Sequence, residues 1–301
     1  MPLSAAPNWR FVMSRTYAFR IVNVFAETTF GGNPLCVFED GRGLSDEEMR
    51  LLARQFNLSE TTFIFPSETA DAHVRIFTPG YEMRFAGHPT LGTAHVLRAM
   101  RELGDDVTLQ FAAGLVPVKA DGDHWTLTAP SSGEPKIKKA SEADADIAAL
   151  VQLSRDDLAQ SPQWVDTGAD QLLIPLRDAN AVARAQPDSA RMERWPLSSL
   201  ERKTGYVFSI DGEKDGELQV SARYFFTTQG GGVNEDPGTG SACANLGGWF
   251  IGQGYPLPVR ARVTQGDAIE RPCRLTLEVT ANREIRVGGN VIELARGEVR
   301  L

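Results

Sequence analysis

Cysteine and histidine are scarce in this chain, which has three cysteines and four histidines in 301 residues. Cys36, Cys243 and Cys273 are too few and too scattered for a disulfide framework or a CxxC zinc site. His88 and His95 are seven residues apart and so share one helix face, but no carboxylate accompanies them as a further ligand. The sequence therefore predicts no metal site and no metal cofactor, and it favours a reduced, cytoplasmic protein.

Positive charge and long apolar runs are also lacking. Lys and Arg together number 31 against 39 Asp and Glu, which gives a net charge of −8, and the longest basic block is residues 136–139. A nucleic-acid-binding surface or an anionic-membrane surface is not expected from such a balance. The apolar runs are far shorter than the roughly 20 residues of a membrane-spanning helix. We therefore expect neither nucleic acid nor membrane as a partner.

The first 14 residues contain Pro, Trp and Arg but no apolar core of a signal peptide. We expect residues 1–14 to be a disordered or loosely ordered extension, with the folded part beginning at residue 15. The alternative is that Met13 is the natural start.

The most distinctive stretch that is present covers residues 225–254. An apolar strand leads into a glycine-rich loop, and a helix follows whose residues are almost all small or apolar, from Ala242 to Phe250. A helix that is apolar on every side is buried. Because its free N–H groups and its dipole point at the glycine-rich loop, its N-terminus is suited to holding an anion.

The stretch has a counterpart earlier in the chain, which indicates an internal repeat. Residues 87–94, which also begin a helix with small side chains, correspond to residues 236–242. Two related lobes, residues 15–130 and 131–283, would each wrap a sheet around a central helix. Both helix N-termini would then converge on one cleft, where ligand sites tend to lie. The last strands, about residues 284–301, could complete either lobe.

Three local predictions accompany this organisation. Ser45 with Glu48 forms the pattern of a capping box at a helix start. A helix is predicted over about residues 188–203. Two separate strands are predicted over residues 284–288 and 290–295, with a break between them.

Each candidate site residue has a chemical and a purely structural interpretation. Glu60 could be a general acid/base if a dry pocket raises its pKa, or a solvated loop carboxylate. His88 could orient or protonate a substrate, or bond to the backbone at its helix start. Asp236 could hold a substrate amine or hydroxyl, or form an Asx turn or N-cap before Pro237. Gly240 and Ser241 could offer N–H groups to a carboxylate, or form a tight turn.

Two nucleotide motifs and one nucleophile are disfavoured. The glycines at 230–232 and 238–240 match neither GxxxxGK[ST] nor the dinucleotide fingerprint. Cys243 lies in an apolar helix segment without a neighbouring histidine, which is typical of an inert core thiol.

Several segments in a fixed order resemble the PhzF family, named for an isomerase of phenazine biosynthesis. The similarity extends from about residue 15 to the end of the chain. The segments that carry it are VF at 24–25, GNP at 32–34, NLSETTF at 57–63, FTP at 77–79, FAGHPTLG at 85–92, EDPGTGSA at 235–242, VGG at 287–289 and Gly297.

The resemblance implies an α+β fold of the diaminopimelate-epimerase type. Such a fold has two pseudo-symmetric lobes, each a curled, mostly antiparallel sheet or barrel around a central buried helix. It also implies cofactor-independent proton chemistry and commonly a homodimer, and the substrate that we expect is a small carboxylic acid. The family's catalytic glutamate falls on Glu60, and its supporting groups fall on Ser59, Gly87, His88, Asp236, Gly240 and Ser241.

Related epimerases with two catalytic cysteines have one at each helix N-terminus, where this chain has Ala86 and Asp236-Pro237. The leading hypothesis is therefore an isomerase in which Glu60 moves a proton between carbons. An amino-acid epimerase or racemase on the same fold and a non-catalytic ligand-binding or regulatory protein remain alternatives.

Overall fold

A computed structural model describes residues 14–130, 134–227 and 231–301. The predicted extension, residues 1–14, therefore lies outside the described residues apart from Ser14. The strands are β1 Thr16–Val24, β2 Asn33–Phe38, β3 Glu60–Phe65, β4 Ala72–Phe77, β5 Glu82–Met83, β6 Asp106–Phe111, β7 Gly114–Asp121, β8 His124–Thr128, β9 Lys136–Lys139, β10 Gln163–Asp166, β11 Asp170–Pro175, β12 Thr204–Lys214, β13 Glu217–Thr227, β14 Val233–Asp236, β15 Val259–Gln265, β16 Cys273–Val279 and β17 Ile285–Arg300. The α-helices are α1 Asp46–Phe56, α2 Gly87–Arg101, α3 Asp144–Leu150, α4 Ala179–Arg184 and α5 Gly240–Gly252.

Helix α1 shows how local sequence sets an element's limits. The Ser45 side chain accepts a hydrogen bond from the backbone of Glu48, whose carboxylate accepts one from the Ser45 backbone. This is the predicted capping box, and it satisfies N–H groups that have no partner inside the helix. Asn57 ends the helix in the left-handed region, with φ 52°.

The helix predicted over residues 188–203 is wrong. A short α-helix, α4, precedes this range, and only a 3-10 helix, Ser189–Arg194, lies within it. The prediction ignored Pro196, which has no N–H to donate and clashes with the preceding turn of a helix. Asp178 fixes the start of α4 instead, because its side chain accepts a hydrogen bond from the Ala181 N–H.

The break predicted between residues 288 and 290 is also wrong, since β17 runs unbroken through it. Gly288 and Gly289 are needed because neighbouring chains come very close. A Cβ atom on Gly288 would lie 2.6 Å from the Trp125 carbonyl oxygen, and one on Gly289 would lie 2.7 Å from Phe25 Cδ1. Glycine in a strand thus marks close packing here and not a turn.

The strands form two similar curled sheets. In the first, β1, β2, β3, β4, β6, β7, β8 and β17 pair in a closed ring of eight strands around α2. In the second, β9, β10, β11, β12, β13, β15, β16 and β17 pair in succession around α5. The parallel pairs fall at matching places, β2 with β3 and β4 with β6 in one lobe, β11 with β12 and β13 with β15 in the other. The fold is therefore the predicted one, α+β with two pseudo-symmetric lobes.

Strand β17 belongs to both lobes. Its first part pairs with β16 on one edge and with β8 on the other, and its last part pairs with β1. The end of the chain thus closes the first ring, while the limits 15–130 and 131–283 stay predictions. Among the described residues, no helix combines the length and the apolar character needed to cross a membrane.

Small residues on α2 and α5 let the sheets wrap closely around these helices. A Cβ atom on Gly92 of α2 would lie 2.6 Å from Leu35 Cδ2, and one on Gly247 of α5 would lie 2.7 Å from Ile285 Cγ2. Both helices are buried along most of their length. The first turns of the two helices are thereby held in fixed positions at the boundary between the lobes.

Candidate active site

The N-termini of α2 and α5 face each other across the lobe boundary. A Cβ atom built on Gly87 would lie 3.6 Å from Gly240 Cα. Neither Ala86 nor Thr239, the residues before the two helices, caps its helix with a side-chain hydrogen bond. The unpaired N–H groups and the two helix dipoles therefore converge on one small region that favours an anion.

Glu60 and His88 meet beside this region. Glu60 is the first residue of β3 and pairs with Leu35 of β2, and His88 lies in the first turn of α2. His88 Nε2 lies 3.1 Å from Glu60 Oε2, and the two side chains are only 7% and 15% exposed. The contact is not aligned as a hydrogen bond, and both atoms are buried without a hydrogen-bond partner among the described residues. Because buried polar atoms are rarely left unpaired, this pair indicates a place for a ligand.

Asn33 connects the two lobes at this cluster. Its Nδ2 donates to Asp236 Oδ1 at 2.9 Å and to the Gly238 carbonyl oxygen at 3.0 Å, and it lies 3.3 Å from His88 Nδ1. Those two acceptors from the second lobe take up both N–H bonds of the amide and fix its orientation beside Nδ1 of His88.

Asp236 ends β14 and is held by side chains on both sides. Thr239 Oγ1 donates to Asp236 Oδ2, and Gln265 Nε2 donates to the Asp236 carbonyl oxygen at 2.8 Å and to Thr239 Oγ1 at 3.0 Å. The residue that precedes α5 is Thr239, so the interpretation of Asp236 as an N-cap is wrong. Its carboxylate is fixed in orientation by a hydroxyl and an amide.

A buried amide network positions the first turn of α5. Gln171 Nε2 donates to Ser241 Oγ at 3.0 Å and to the Tyr224 hydroxyl at 3.2 Å. Asn245 of α5 donates to the Gln171 side-chain oxygen at 2.8 Å and accepts from the backbone and hydroxyl of Thr167. Buried networks in which every polar group is hydrogen-bonded are rigid, so Ser241 is held at the N-terminus of α5.

Burial displaces the pKa values of the three ionisable groups in different ways. It raises the pKa of Glu60 to about 8, with the Asp236 charge adding to the effect. It raises the pKa of Asp236 to about 6, against the opposing hydrogen bonds from Thr239 and Asn33. It lowers the pKa of His88 to about 3. At neutral pH, Glu60 is mostly protonated but close to its pKa, Asp236 is mostly ionised and His88 is neutral.

All seven residues expected from the sequence lie in this part of the molecule. Glu60, His88 and Asp236 form one cluster, and half-buried Ser59 directly precedes Glu60. Gly87, Gly240 and Ser241 lie at the facing helix N-termini. Their functional roles stay predictions, and the geometry supplies the arrangement on which those roles depend.

Sequence reasoning missed the side chains that hold this cluster together, namely Asn33, Gln171, Thr239, Asn245 and Gln265. Asn245 alone carried a usable signal, since it is one polar residue inside an otherwise small and apolar helix. The others carry no signal in their local sequence. Their partners are distant in the sequence, so no local pattern marks them.

A cavity that lies away from this cluster does not contain its chemistry. Its volume is about 890 Å³, and it is lined by residues of β1, of the loop 39–43 and of the C-terminal end of α2. Its arginines are already engaged, Arg15 with Glu48 and Arg42 with Asp40. Across the described ranges, no group of three or more His, Cys, Asp or Glu side chains could hold a metal ion.

Comparison with known proteins identifies the family. The phenazine biosynthesis-like protein family, PhzC-PhzF, matches residues 22–297. An uncharacterized isomerase of Pasteurella multocida is 41% identical over 289 residues, which cover 95% of each chain. A trans-2,3-dihydro-3-hydroxyanthranilate isomerase of Pseudomonas chlororaphis is 29% identical over 93% of this chain and 98% of its own length. The crystal structure of a PhzF-family phenazine biosynthesis protein of Bacillus anthracis superposes with a TM-score of 0.82 at 24% identity, over 95% of this chain and 99% of the other. The chain therefore belongs to the PhzC-PhzF family of phenazine biosynthesis-like isomerases.

Proposed function

We propose that the protein is a cofactor-independent isomerase that moves a proton between two carbons of a small carboxylic acid, with Glu60 as the general acid/base. One observation carries this proposal. Glu60 Oε2 and His88 Nε2 lie 3.1 Å apart, buried and without hydrogen-bond partners among the described residues, beside two facing helix N-termini. A carboxyl group with a pKa of about 8 can both take up and release a proton near neutral pH.

The charge state of each ionisable residue suits it to a different step of the reaction. The ionised form of Glu60 takes a proton from a carbon of the substrate, and the electron pair of that C–H bond moves into the adjoining π system. Glu60 then returns the proton to a second carbon, so that the double bond migrates and the substrate's composition is unchanged. Neutral His88, in the tautomer that carries its proton on Nε2, can donate to an oxygen of the substrate as negative charge develops there.

The remaining residues bind and orient the substrate. Gly240 and Ser241 offer the N-terminus of α5 to the carboxylate, and Ser59 and Gly87 line the opposite side. Asp236, mostly ionised at neutral pH, would hold an amine or hydroxyl group of the substrate. A trans-2,3-dihydro-3-hydroxyanthranilate, the compound named for the Pseudomonas relative, carries all three groups and is the first candidate substrate.

The epimerase alternative lacks the two thiols in the expected places. Ala86 and Asp236-Pro237 stand where two-cysteine epimerases have their thiols, and the Asp236 carboxylate is held by hydrogen bonds from Thr239 and Asn33. One base favours return of the proton on the same face and thus an isomerisation.

The proposal is tested by the turnover of Glu60→Gln. We expect the variant to convert the dihydro-hydroxyanthranilate roughly 100- to 10,000-fold more slowly than wild type, because its amide cannot carry the proton. Proton NMR in D₂O would follow both conversion and exchange at carbon. Glu68→Gln, on the exposed surface, is the matched control. Wild-type rates in Glu60→Gln would remove Glu60 from the mechanism, and ligand-dependent melting without turnover in wild type would favour a binding protein.

Two further predictions do not depend on the geometry of the site. A homodimer is expected because the family commonly forms one, and a cytoplasmic location is expected from the scarcity of cysteine. Neither bears on the proton transfer described above.

A further inference from the structure

An arginine of the second lobe and a tyrosine of the first lobe meet at the end of the cleft. The Arg202 guanidinium carbon lies 5.6 Å from the centre of the Tyr81 ring. Tyr81 lies in the turn after β4, whose last residue, Phe77, pairs with the residue after Glu60. Arg202 lies just before β12, whose first part runs beside Gln171 and its strand. The strand register therefore places the contact between Arg202 and Tyr81 at the same ends of the two sheets as the acid/base cluster and the N-terminus of α5.

The backbone of Arg202 is held in a tight turn. The Ser198 N–H donates to the Arg202 carbonyl oxygen at 2.9 Å, and the Arg202 N–H donates to Ser198 Oγ at 3.1 Å. The backbone and hydroxyl of Ser199 both donate to Asp170, at 2.7 Å each. Asp170 directly precedes Gln171, which bonds to Ser241. The turn that contains Arg202 is thus fixed to the strand that holds the N-terminus of α5 in place.

The guanidinium of Arg202 itself has no carboxylate within ion-pair distance among the described residues. Arg223 and Arg184 of the same lobe, by contrast, pair with Glu235 at 2.7 Å and with Asp157. The exposed guanidinium of Arg202 is therefore available to an anion. Stacking on an aromatic ring holds such a group in place while leaving its N–H donors available.

The positive charge of Arg202 affects a hydroxyl group next to the N-terminus of α5. Burial raises the pKa of the Tyr224 hydroxyl to about 12, and the positive charge of Arg202 acts against this rise. The same hydroxyl accepts a hydrogen bond from Gln171, whose amide also bonds to Ser241. The cleft already contains ionised Asp236, so a substrate carboxylate brings a second negative charge that needs a cation nearby.

We propose that Arg202 recognises the carboxylate of the substrate, turning from the Tyr81 ring to pair with the acid group held at the N-terminus of α5. Arg202 thereby determines the preference of the cleft for carboxylic acids over their uncharged analogues. This inference rests on the proposed function for two points, that the substrate is a carboxylic acid and that its acid group lies at the N-terminus of α5.

The test compares an acid with its neutral isostere. Isothermal titration calorimetry would measure the binding of 3-hydroxyanthranilate and of 3-hydroxyanthranilamide to wild type, Arg202→Gln, Arg202→Lys and the exposed control Arg177→Gln. We expect wild type to bind the acid at least about tenfold more tightly than the amide, as a charge-assisted hydrogen-bonded pair provides. Arg202→Gln should lose this preference through weaker binding of the acid alone, and Arg202→Lys should keep part of it. Arg177→Gln should behave as wild type.

Two results would overturn the inference. One is a wild-type protein without preference for the acid, and the other is an Arg202→Gln variant that folds, by its melting temperature, and retains the full preference. Glu60→Gln separates this inference from the proposed function, because it should lose turnover yet keep the preference for the acid. If Glu60→Gln still turned over substrate while Arg202→Gln lost the preference, the proton-transfer role would fail and the recognition role would stand.

Discussion

At the scale of single residues, the site depends on buried groups that are costly to fold. Glu60 and Asp236 are carboxyl groups whose pKa values are raised by burial, and His88 is an imidazole whose pKa is lowered by it. In each case the folded protein disfavours the charged form that water would stabilise. Groups whose pKa values are shifted in this way are typical of catalytic clefts, and they reduce the stability of the fold that holds them.

Glu60→Gln should therefore stabilise the protein in a pH-dependent way. The folded-state pKa of Glu60, about 8, lies above its ordinary value of 4.5. Between these values the unfolded chain releases the proton and the folded chain keeps it, so wild type loses stability as pH rises from about 4.5 to 8. Glutamine does not titrate. We expect the advantage of the variant in unfolding free energy to grow by about 2–4 kcal/mol between pH 4.5 and 7.5.

Urea unfolding of both proteins at the two pH values would measure this difference. Glu68→Gln, at an exposed position, should show no such growth. An advantage of Glu60→Gln that is the same at both pH values would mean that the Glu60 carboxyl is not shielded from water.

At the scale of elements, α2 and α5 serve both folding and binding, and their glycines separate the two roles. Gly247 lies inside α5 against Ile285 and Leu277, where the sheet wraps the helix. Gly240 lies at the mouth, where a Cβ atom would be 3.4 Å from Phe25 Cζ and 3.7 Å from Gly87 Cα, which are ordinary contact distances. A methyl group fits at Gly240 without strain but lies in the gap between the two helices.

Gly240→Ala should therefore reduce activity, whereas Gly247→Ala should reduce stability. Gly240→Ala should change the unfolding free energy by less than about 1 kcal/mol and reduce kcat/KM by roughly 10- to 100-fold, because it displaces the bound carboxylate. Gly247→Ala should cost about 1–3 kcal/mol through overpacking and leave kcat/KM of the folded enzyme nearly unchanged. Urea unfolding and steady-state kinetics with the same acid would measure both. Wild-type kcat/KM in Gly240→Ala would show that the helix mouth does not hold the substrate.

At the scale of the whole molecule, the lobes are joined by more than the connecting chain. One hydrophobic cluster contains residues of both lobes, including Leu97 and Trp125 of the first and Trp249 and Val263 of the second. Backbone hydrogen bonds cross the boundary, from the Gly32 N–H to the Pro272 carbonyl oxygen at 2.9 Å and from the Arg274 N–H to the Phe25 carbonyl oxygen at 2.9 Å. With β17 shared, neither lobe has a complete core of its own.

The lobes should consequently unfold together. In protein labelled with 5-fluorotryptophan, the ¹⁹F signals of Trp125 and Trp249 should disappear at the same urea concentration, because a single cooperative transition links both cores. Trp→Phe variants would assign the signals. Clearly separate midpoints would show that each lobe is stable without the other.

The sequence alone determined the two-lobe fold, and it pointed to Glu60, His88 and Asp236, which the fold brings together. The small-residue helices, their repetition and the segments around Glu60, His88 and Asp236 are local patterns that a linear reading can detect. Such patterns arise because a helix buried on all sides must be built from small or apolar residues, wherever it lies in the chain. The failed helix at 188–203 and the strand break at Gly288 had local causes too, a proline passed over and glycines that serve packing.

Only the tertiary structure decided how these residues act on one another. Asn33 reaches Asp236 across 203 positions of sequence, Gln171 reaches Ser241 across 70, and Arg202 meets Tyr81 from the opposite lobe. The raised pKa of Glu60 likewise comes from burial between two lobes and from the charge of Asp236. Desolvation and field effects depend on distance in space, which a sequence of residue types does not contain.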